Sequence, residues 1–256
     1  MPSRPYILAE THWKTVKNTD YAVAVLPWGA TEAHNYHLPY ATDVIESDHI
    51  AAEAARITWE RGVKVIVLPT IPFGVNTGQL DIRLDINMNP STQASVLRDV
   101  VASLSRQGFV KLLVLNGHGG NDFRQMIREI QPDYPQLFLS AINWYQVLDG
   151  RKYFDEPGDH AGEMETSVMM SIAADLVLPL AEAGSGTSRS FKLQGLQEGW
   201  VWAQRDWVKA TVDTGVGDPS QASAAKGKVF LEELTRRIAG YLIGLAESDI
   251  NALYEE

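Results

Sequence analysis

The chain has 256 residues, of which 45% are apolar and 21% are charged, a composition typical of a globular protein with a full core. Its formal net charge of −10 argues against nucleic acid or an anionic membrane as a partner, because both favour a basic surface. The absence of cysteine excludes disulfides, thiolate metal ligands and thiol nucleophiles. No signal-peptide pattern opens the chain, and no apolar run approaches the ~20 residues of a membrane span, so we expect a cytoplasmic protein.

Short apolar runs alternate with helix-like segments along the chain. Runs rich in β-branched residues or leucine predict strands at 21–27, 63–69, 110–117 and 137–143. Helices are predicted at 44–61, 91–107, 121–131, 163–177 and 220–247. Near-continuous apolar strands are typical of a parallel sheet covered on both faces, and the alternation predicts a layered α/β protein. No linker or internal repeat divides the chain, so we predict one domain over residues 1–256.

The sequence also predicts one helix start and one irregular segment. Ser91 follows Pro90 and is the expected N-cap of the helix at 91–107. The segment 183–220 is rich in Gly, Ser and Trp, and is predicted to be irregular or to contain short strands near a functional site.

Polar residues collect in three clusters. "PWGATEAHNYHLPYATD" (27–43) follows the first predicted strand, and "NGHGGND" (116–122) follows the third. "DHAGEMETS" (159–167) precedes a predicted helix. Ligands of open α/β sheets bind beyond the carboxyl ends of the strands, which is where the first two clusters fall.

The clusters combine imidazoles and carboxylates without sulfur. The candidate ligands are Glu32, His34, Asp43, His118, His160 and Glu163. Glu32 and His34 are two residues apart, so an extended segment projects both to one side. His118 lies between glycines, where the backbone can approach a ligand closely. This donor set suits one or two divalent ions such as Zn, Mn or Fe rather than Ca, and two such ions would generate hydroxide at neutral pH.

Simpler interpretations of the same residues remain open from the sequence alone. Asp43 could be the N-cap of the helix that follows it. His118 and its neighbouring backbone N–H groups could bind phosphate. Glu163 and Glu165 could simply enrich the first turn of a helix in negative charge.

The segments "LPWGATEAHNYHLPYATD", "NGHGGN" and "HAGEMETS" resemble, in order and spacing, the three signature segments of the creatininase (creatinine amidohydrolase) family. The resemblance extends from about residue 20 to about residue 245. It implies a three-layer α/β/α sandwich on a mostly parallel sheet. It also implies a small-molecule substrate, a dinuclear metal centre and a homohexamer.

Carried over by position, the resemblance implies that Glu32 and His118 bind one metal and His34 the other, with Asp43 bridging them. Creatininase has a further glutamate ligand two residues after the histidine of its "NGH" segment, and here that position is Gly120. Relatives with "NGHGGN" carry a glutamate in "HAGE", which makes Glu163 the candidate for the vacant ligand position.

The remaining site residues are also implied by the resemblance. His160 corresponds to the catalytic histidine that delivers a proton to the leaving group. Glu165 is expected to orient a ligand or His160. His37 and Asn121 are expected around the metals or in the substrate pocket. Asn35 and Tyr36 depart from the family pattern and are expected to reshape the pocket wall beside the metals.

The resemblance implies a hydrolase with two divalent ions per chain, Zn2+ first and Mn2+ or Fe2+ as alternatives. The expected reaction is attack of a metal-bound hydroxide on a cyclic amide, an amidine or a related C–N bond. Creatininase presents a tryptophan shortly before its catalytic histidine, and "RKYFDEPGDH" has none, which argues against creatinine itself. Alternatives are a hydrolase that opens an oxidised inositol (inosose) ring, a formamide deformylase and a catalytically silent binding homologue.

Overall fold

The computed structural model describes residues 4–255 and contains a sheet of four parallel strands in the order β2-β1-β3-β4. The strands are β1 (Val23–Trp28), β2 (Val65–Val67), β3 (Lys111–Asn116) and β4 (Phe138–Asn143). Every strand predicted from an apolar run is present, so the prediction of a parallel sheet is confirmed.

Five longer helices accompany the sheet. They are α1 (Thr42–Glu60), α2 (Pro90–Arg106), α3 (Phe123–Ile130), α4 (Glu163–Ile172) and α5 (Ala224–Glu247). The prediction of Ser91 as an N-cap is wrong by two positions, because α2 begins at Pro90 and Asn89 occupies the cap position. Proline is well suited to the first helical turn because its missing N–H has no partner there in any case.

Alternate residues of the strands face two separate cores. Val25 and Leu113 point to the core formed with α1 and α5. Their chain neighbours Leu26 and Leu112 point to the core formed with α2 and α3. Since successive side chains of a strand project to opposite faces, each strand is buried on both sides. The predicted three-layer α/β/α architecture is therefore confirmed.

The segment 183–220 is largely irregular. It contains the short helices Gln194–Gln197 and Trp207–Ala210 and two isolated bridges, of which Ser188 to Thr211 lies within the segment. One of these bridges joins Val216 to His160, so this segment supports the backbone of a predicted site residue.

Among residues 4–255, no single helix is long and apolar enough to cross a membrane.

Two glycines allow the ends of β1 and β3 to press against the start of α1. A Cβ atom on Gly117 would overlap the Ser47 hydroxyl and lie 3.1 Å from the Asp43 carbonyl oxygen. A Cβ atom on Gly29 would lie 2.7 Å from the backbone nitrogen of Val44. Side chains at these two positions would push α1 away, so the glycines bring Asp43 over the carboxyl edge of the sheet.

We predict that Gly117→Ala lowers the free energy of unfolding by roughly 1–3 kcal/mol, because the methyl group overpacks a buried contact. The matched control is Gly240→Ala in α5, where an added Cβ meets nothing within 4 Å. It is expected to raise the same quantity by roughly 0.5–1 kcal/mol. Urea unfolding followed by circular dichroism measures both, and equal effects of the two substitutions would contradict the close approach.

Candidate metal centre

Three chain segments bring the first four predicted ligands to one place. Glu32 and His34 lie in the loop after β1, and His118 lies just after β3. These strands are parallel neighbours, with Trp28 paired to Asn116, so their following loops meet at the same edge. Asp43 lies in the first turn of α1. All four side chains are buried, with at most 4% of any residue exposed.

Asp43 turns its two carboxylate oxygens to two different histidines. Its Oδ1 atom lies 3.0 Å from His34 Nε2, and its Oδ2 atom lies 3.1 Å from His118 Nδ1. Ala41 holds the N-cap position of α1, and Asp43 is inside the helix. The alternative reading of Asp43 as a helix N-cap is therefore wrong, and its carboxylate is placed to bridge two sites.

Each of three histidines is tied to a backbone carbonyl oxygen by one ring nitrogen, which must be the protonated donor because a carbonyl only accepts. The pairs are His34 Nδ1 with Glu32 O at 3.1 Å, His118 Nε2 with Val75 O at 3.1 Å, and His160 Nε2 with Ala33 O at 2.9 Å. The second nitrogen of each ring faces carboxylates. This is the arrangement usual for metal-binding histidines, whose outer N–H is held by a carbonyl or carboxylate.

The inward nitrogens and the carboxylates present lone pairs to one another. His118 Nδ1 lies only 2.8 Å from Glu32 Oε1, and no aligned donor within residues 4–255 bonds to the buried Asp43 Oδ2. Such acceptors can share a small volume only if protons or cations lie between them. Nitrogen and oxygen ligands without sulfur suit Zn2+ or Mn2+. The residues present therefore fit divalent cations.

Without a metal ion, protons can occupy the space between the imidazoles and the carboxylates. The pKa values of His34 and Glu32 show how strongly this cluster favours positive charge. Burial lowers the pKa of His34, but the Asp43 and Glu32 carboxylates outweigh it and raise this pKa to about 10. Burial raises the pKa of Glu32, but His118 and the other imidazoles outweigh it and hold it far below its usual range. The site attracts protons for the same electrostatic reason that it would attract a metal ion.

The prediction of Glu163 as the vacant metal ligand and catalytic group is corrected by the structure. Its Oε1 atom pairs with Lys226 Nζ, and its Oε2 atom accepts a hydrogen bond from Glu156 N at 2.9 Å. Lys226 also contacts Asp155 Oδ2 at 2.9 Å. These bonds join both ends of the loop that carries His160 to α5, so Glu163 supports that loop.

Glu165 takes the position expected for Glu163. The two residues are two apart on α4, so the helix directs them to nearly opposite faces. Ligand atoms of Glu165, His34 and Asp43 lie within 4.8 Å of one another, as do those of Glu32, Asp43 and His118. The two groups share Asp43. The expectation that Glu165 only orients another residue is therefore replaced by a place among the candidate ligands.

His160 belongs to a third such group, because its ligand atom and those of Glu32 and His34 also lie within 4.8 Å of one another. Its ring centroid is 4.1 Å from that of His34, and its Nδ1 atom is 3.9 Å from Glu32 Oε1. On its other side the ring meets Trp207 edge-on, with centroids 5.4 Å apart. The inward nitrogen of His160 is thus farther from Glu32 Oε1 than that of His118, which lies 2.8 Å away.

Three further predicted residues lie outside the centre. Tyr36 is 57% exposed, and its hydroxyl donates to Val212 O at 3.3 Å. The Asn35 side chain bonds to both backbone groups of Gly184, which fixes the 183–220 segment. His37 is buried with its Nε2 atom 2.9 Å from Thr166 Oγ1. None of the three lines the cavity above the centre, which corrects the expected place of Asn35 and Tyr36 in the pocket wall. The expected place of His37 around the metals stays a prediction.

Asn121 lines the cavity, but its side chain is occupied within the protein. Its amide donates to Asn116 Oδ1 at 2.9 Å, and its oxygen accepts from Val75 N at 3.0 Å and from Gln93 Nε2 at 2.9 Å. Asn121 therefore fixes the loop of His118, since Val75 also accepts the His118 ring N–H.

The contacts of two buried polar neighbours of the centre were not predicted from the sequence. Gln79 donates from its amide to Glu32 Oε2. Glu46 is completely buried, and both of its oxygens lack a hydrogen-bond donor among the described residues. Burial, with Glu165 and Asp43 nearby, raises its pKa well above the usual range. The spacing of three residues from Asp43 on one helix was the available signal for Glu46; Gln79 had none.

The centre lies in the wall of a cavity of about 1400 Å³. The 183–220 segment contributes Trp202, Gln204, Arg205 and Trp207 to this cavity. The tryptophans of the cavity wall, Trp202 and Trp207, therefore come from a segment distant in the chain from the stretch before His160.

The structure thus defines an α/β protein with a buried cluster of imidazoles and carboxylates, able to hold a metal ion, at the carboxyl edge of a parallel sheet. The family model described as Creatininase, creatinine amidohydrolase, matches residues 9–242. The chain belongs to the creatininase family and is a hydrolase of that family.

Several known proteins are similar to the chain. A mycofactocin precursor peptide peptidase of Mycobacterium ulcerans (strain Agy99) is 27% identical over 222 residues, which cover 82% of this chain and 80% of the relative. A creatinine amidohydrolase of Pseudomonas putida is 24% identical over 199 residues, covering 68% and 75%.

Solved structures agree with the fold. A crystal structure of a Bacteroides fragilis NCTC 9343 protein, named provisionally as a creatinine amidohydrolase, gives a TM-score of 0.92 at 45% identity, covering 98% of this chain and 99% of that one. A mutant creatininase of Zn–Zn type and a creatininase with Mn each give 0.79 at 20% identity, covering 96% of this chain and 100% of theirs.

Glutamine substitutions at the two glutamates of α4 are expected to differ. Glu165→Gln should reduce bound zinc from about two ions per chain to about one, because it removes a charged ligand. Glu163→Gln is the matched control and should retain the zinc, because this carboxylate pairs with Lys226. Elemental analysis after dialysis measures both, with circular dichroism confirming folding. Loss of zinc from the Glu163 variant alone would restore the original assignment.

Proposed function

We propose that this protein is a metal-dependent hydrolase that cleaves a C–N bond of an amide or amidine, with two divalent cations bound side by side. The main support for this proposal is the position of Asp43, because its two carboxylate oxygens face two histidines from different chain segments. Zn2+ is the first expectation and Mn2+ the second. This choice is supported by the donor set and by the creatininases solved with these metals.

Of the three groups of candidate ligands, the two that share Asp43 are the proposed ion sites. Glu32, Asp43 and His118 would hold one ion, and His34, Asp43 and Glu165 the other. When bound, such a pair of cations supplies Lewis acidity toward a carbonyl oxygen and lowers the pKa of water. Gln79 fixes the second oxygen of Glu32 by a hydrogen bond and so limits the rotation of that ligand.

His160 is the proposed proton carrier. Its Nε2–H donates to Ala33 O, so Nδ1 is the nitrogen that is free to accept and release a proton. The hydrogen bonds between His160 and Val216 backbone groups, at 2.7 and 3.0 Å, keep the residue in place. From this position Nδ1 can protonate the departing nitrogen of an amide near Glu32.

Two kinds of amide are proposed as substrates. Cyclic amides and amidines follow from the likeness to creatinine amidohydrolase. Linear peptide-like amides are favoured by the cavity of about 1400 Å³, which is larger than the ~300–1,000 Å³ typical of small-molecule pockets. The likeness to a mycofactocin precursor peptide peptidase supports this second kind.

Metal removal tests the proposal. Treatment with a chelator should abolish hydrolysis of a panel of cyclic amides, amidines and short peptides, and added Zn2+ or Mn2+ should restore it. Amine release is the readout, and buffer carried through the same dialysis is the control. Activity that survives complete removal of metal would contradict the proposal.

The role of His160 is tested separately. His160→Gln is expected to lower kcat by roughly 10²–10⁴-fold, because a proton carrier is lost, while the zinc content stays unchanged. A loss of zinc together with activity would instead make His160 a ligand, as its 3.9 Å distance from Glu32 Oε1 also permits.

A further inference from the structure

The cavity above the metal centre contains arginines that the proposed reaction does not use. We infer that Arg124 and Arg151 form a subsite for an oxyanion of the substrate, so that this hydrolase acts on amides that carry a carboxylate or a phosphate. The inference rests on the proposed function, because it assigns the substrate class of the same cavity.

The basic residues that line the cavity come from three separate segments. Arg124 lies in the first turn of α3, Arg151 in the short helix Gly150–Lys152, and Arg205 in the irregular 183–220 segment. All three are arginines, and no lysine of residues 4–255 lines the cavity. These positive side chains collect here although the chain as a whole has a formal net charge of −10. Arginine presents a planar fork of donors that matches a carboxylate or phosphate, which a lysine ammonium does not.

Arg124 and Arg151 have guanidinium groups available for a ligand. Within residues 4–255, neither side chain forms an ion pair or a hydrogen bond. Each follows an aspartate that caps its own backbone: Asp122 accepts from Arg124 N at 3.0 Å, and Asp149 accepts from Arg151 N at 3.2 Å. These two aspartates also line the cavity, where each accepts a hydrogen bond from a backbone N–H group and neither pairs with a guanidinium of the described residues.

Arg205 has a different role. Its guanidinium lies over the Trp207 ring at 4.4 Å from the centroid and pairs with Asp159 at 2.8 Å. Trp207 in turn packs against His160. Arg205 is thus committed to the wall that supports His160, which leaves Arg124 and Arg151 as the pair for an anionic ligand.

The charge of the centre does not oppose an anion. Three carboxylates belong to the two ligand groups, namely those of Glu32, Asp43 and Glu165. Two divalent cations more than neutralise them, so an anionic substrate entering the loaded cavity meets no net repulsion from the centre. The volume also leaves room for a chain of several units between the reacting bond and the anionic end.

The test uses the zinc-loaded protein and two matched probe series. One series is acetylated glycine peptides of two to four residues with a free C-terminal carboxylate, and the other is the same peptides as C-terminal amides. Inorganic phosphate is the third probe. Binding is measured by calorimetry, and amine release is measured in parallel.

The variants isolate the two arginines. Arg124→Gln/Arg151→Gln removes the proposed subsite. Arg128→Gln/Lys152→Gln is the matched control, because both residues are exposed, carry the same charge and do not line the cavity. Both double variants change the net charge equally, so general electrostatic attraction is controlled.

The wild type and the control should bind the best carboxylate probe at least about 10-fold more tightly than its amide, and Arg124→Gln/Arg151→Gln should lose this preference. Phosphate that binds more tightly than the peptides, with the same arginine dependence, would support the subsite and make phosphate its source. Three results would overturn the inference: equal binding of acids and amides, no binding of any probe, or a preference that persists without the arginines. If the preference for acids persists without the arginines, the C-terminal carboxylate of the probe is bound by the metal ions instead. Chelator-insensitive amine release, in contrast, would contradict the proposed function alone.

Discussion

The structure depends on a buried cluster in which the lone pairs of imidazole nitrogens and carboxylate oxygens face one another. Three imidazoles give their outer N–H groups to backbone carbonyls, which leaves their inner nitrogens facing carboxylates. A hydrophobic core could not tolerate these acceptors, and water is largely excluded from them. Positive charge is required to stabilise the arrangement. The pKa of His34, raised to about 10, expresses this requirement when protons alone meet it.

The fold supplies the contacts that maintain this arrangement. Parallel neighbours β1 and β3 end at the same edge, so Glu32 and His118 arrive together although they are far apart in the chain. Gly29 and Gly117 permit α1 to approach that edge, which places Asp43 between the histidines. On the opposite side, Lys226 and Val216 hold the loop of His160. Rigid elements of this kind keep ligands in a geometry that matches a metal ion.

The sequence predicted the sheet and its helices because strands buried on both faces leave continuous apolar runs. It also predicted Glu32, His34, Asp43 and His118 as neighbours, since motif order and strand ends are visible in one dimension. It did not distinguish Glu163 from Glu165, because that choice depends on which face of α4 meets the sheet edge. The roles of Gln79 and Trp207 depend on tertiary contacts with no local pattern, whereas Glu46 lies three residues after Asp43 on the same helix. Asn35 and Tyr36 were misplaced because their loop turns toward Gly184 and Val212.

The most direct test of the central claim is anomalous diffraction from crystals grown with Zn2+, measured on both sides of the zinc absorption edge. We expect two peaks per chain, one near each oxygen of Asp43, at about 2.0–2.2 Å from the ligand oxygens and about 2.0–2.1 Å from the inward nitrogens of His34 and His118. Glu165 should coordinate one of the ions, and Glu163 should remain paired with Lys226. An absence of zinc between these residues, or zinc bound by Glu163 with Asp43 turned away, would contradict the account.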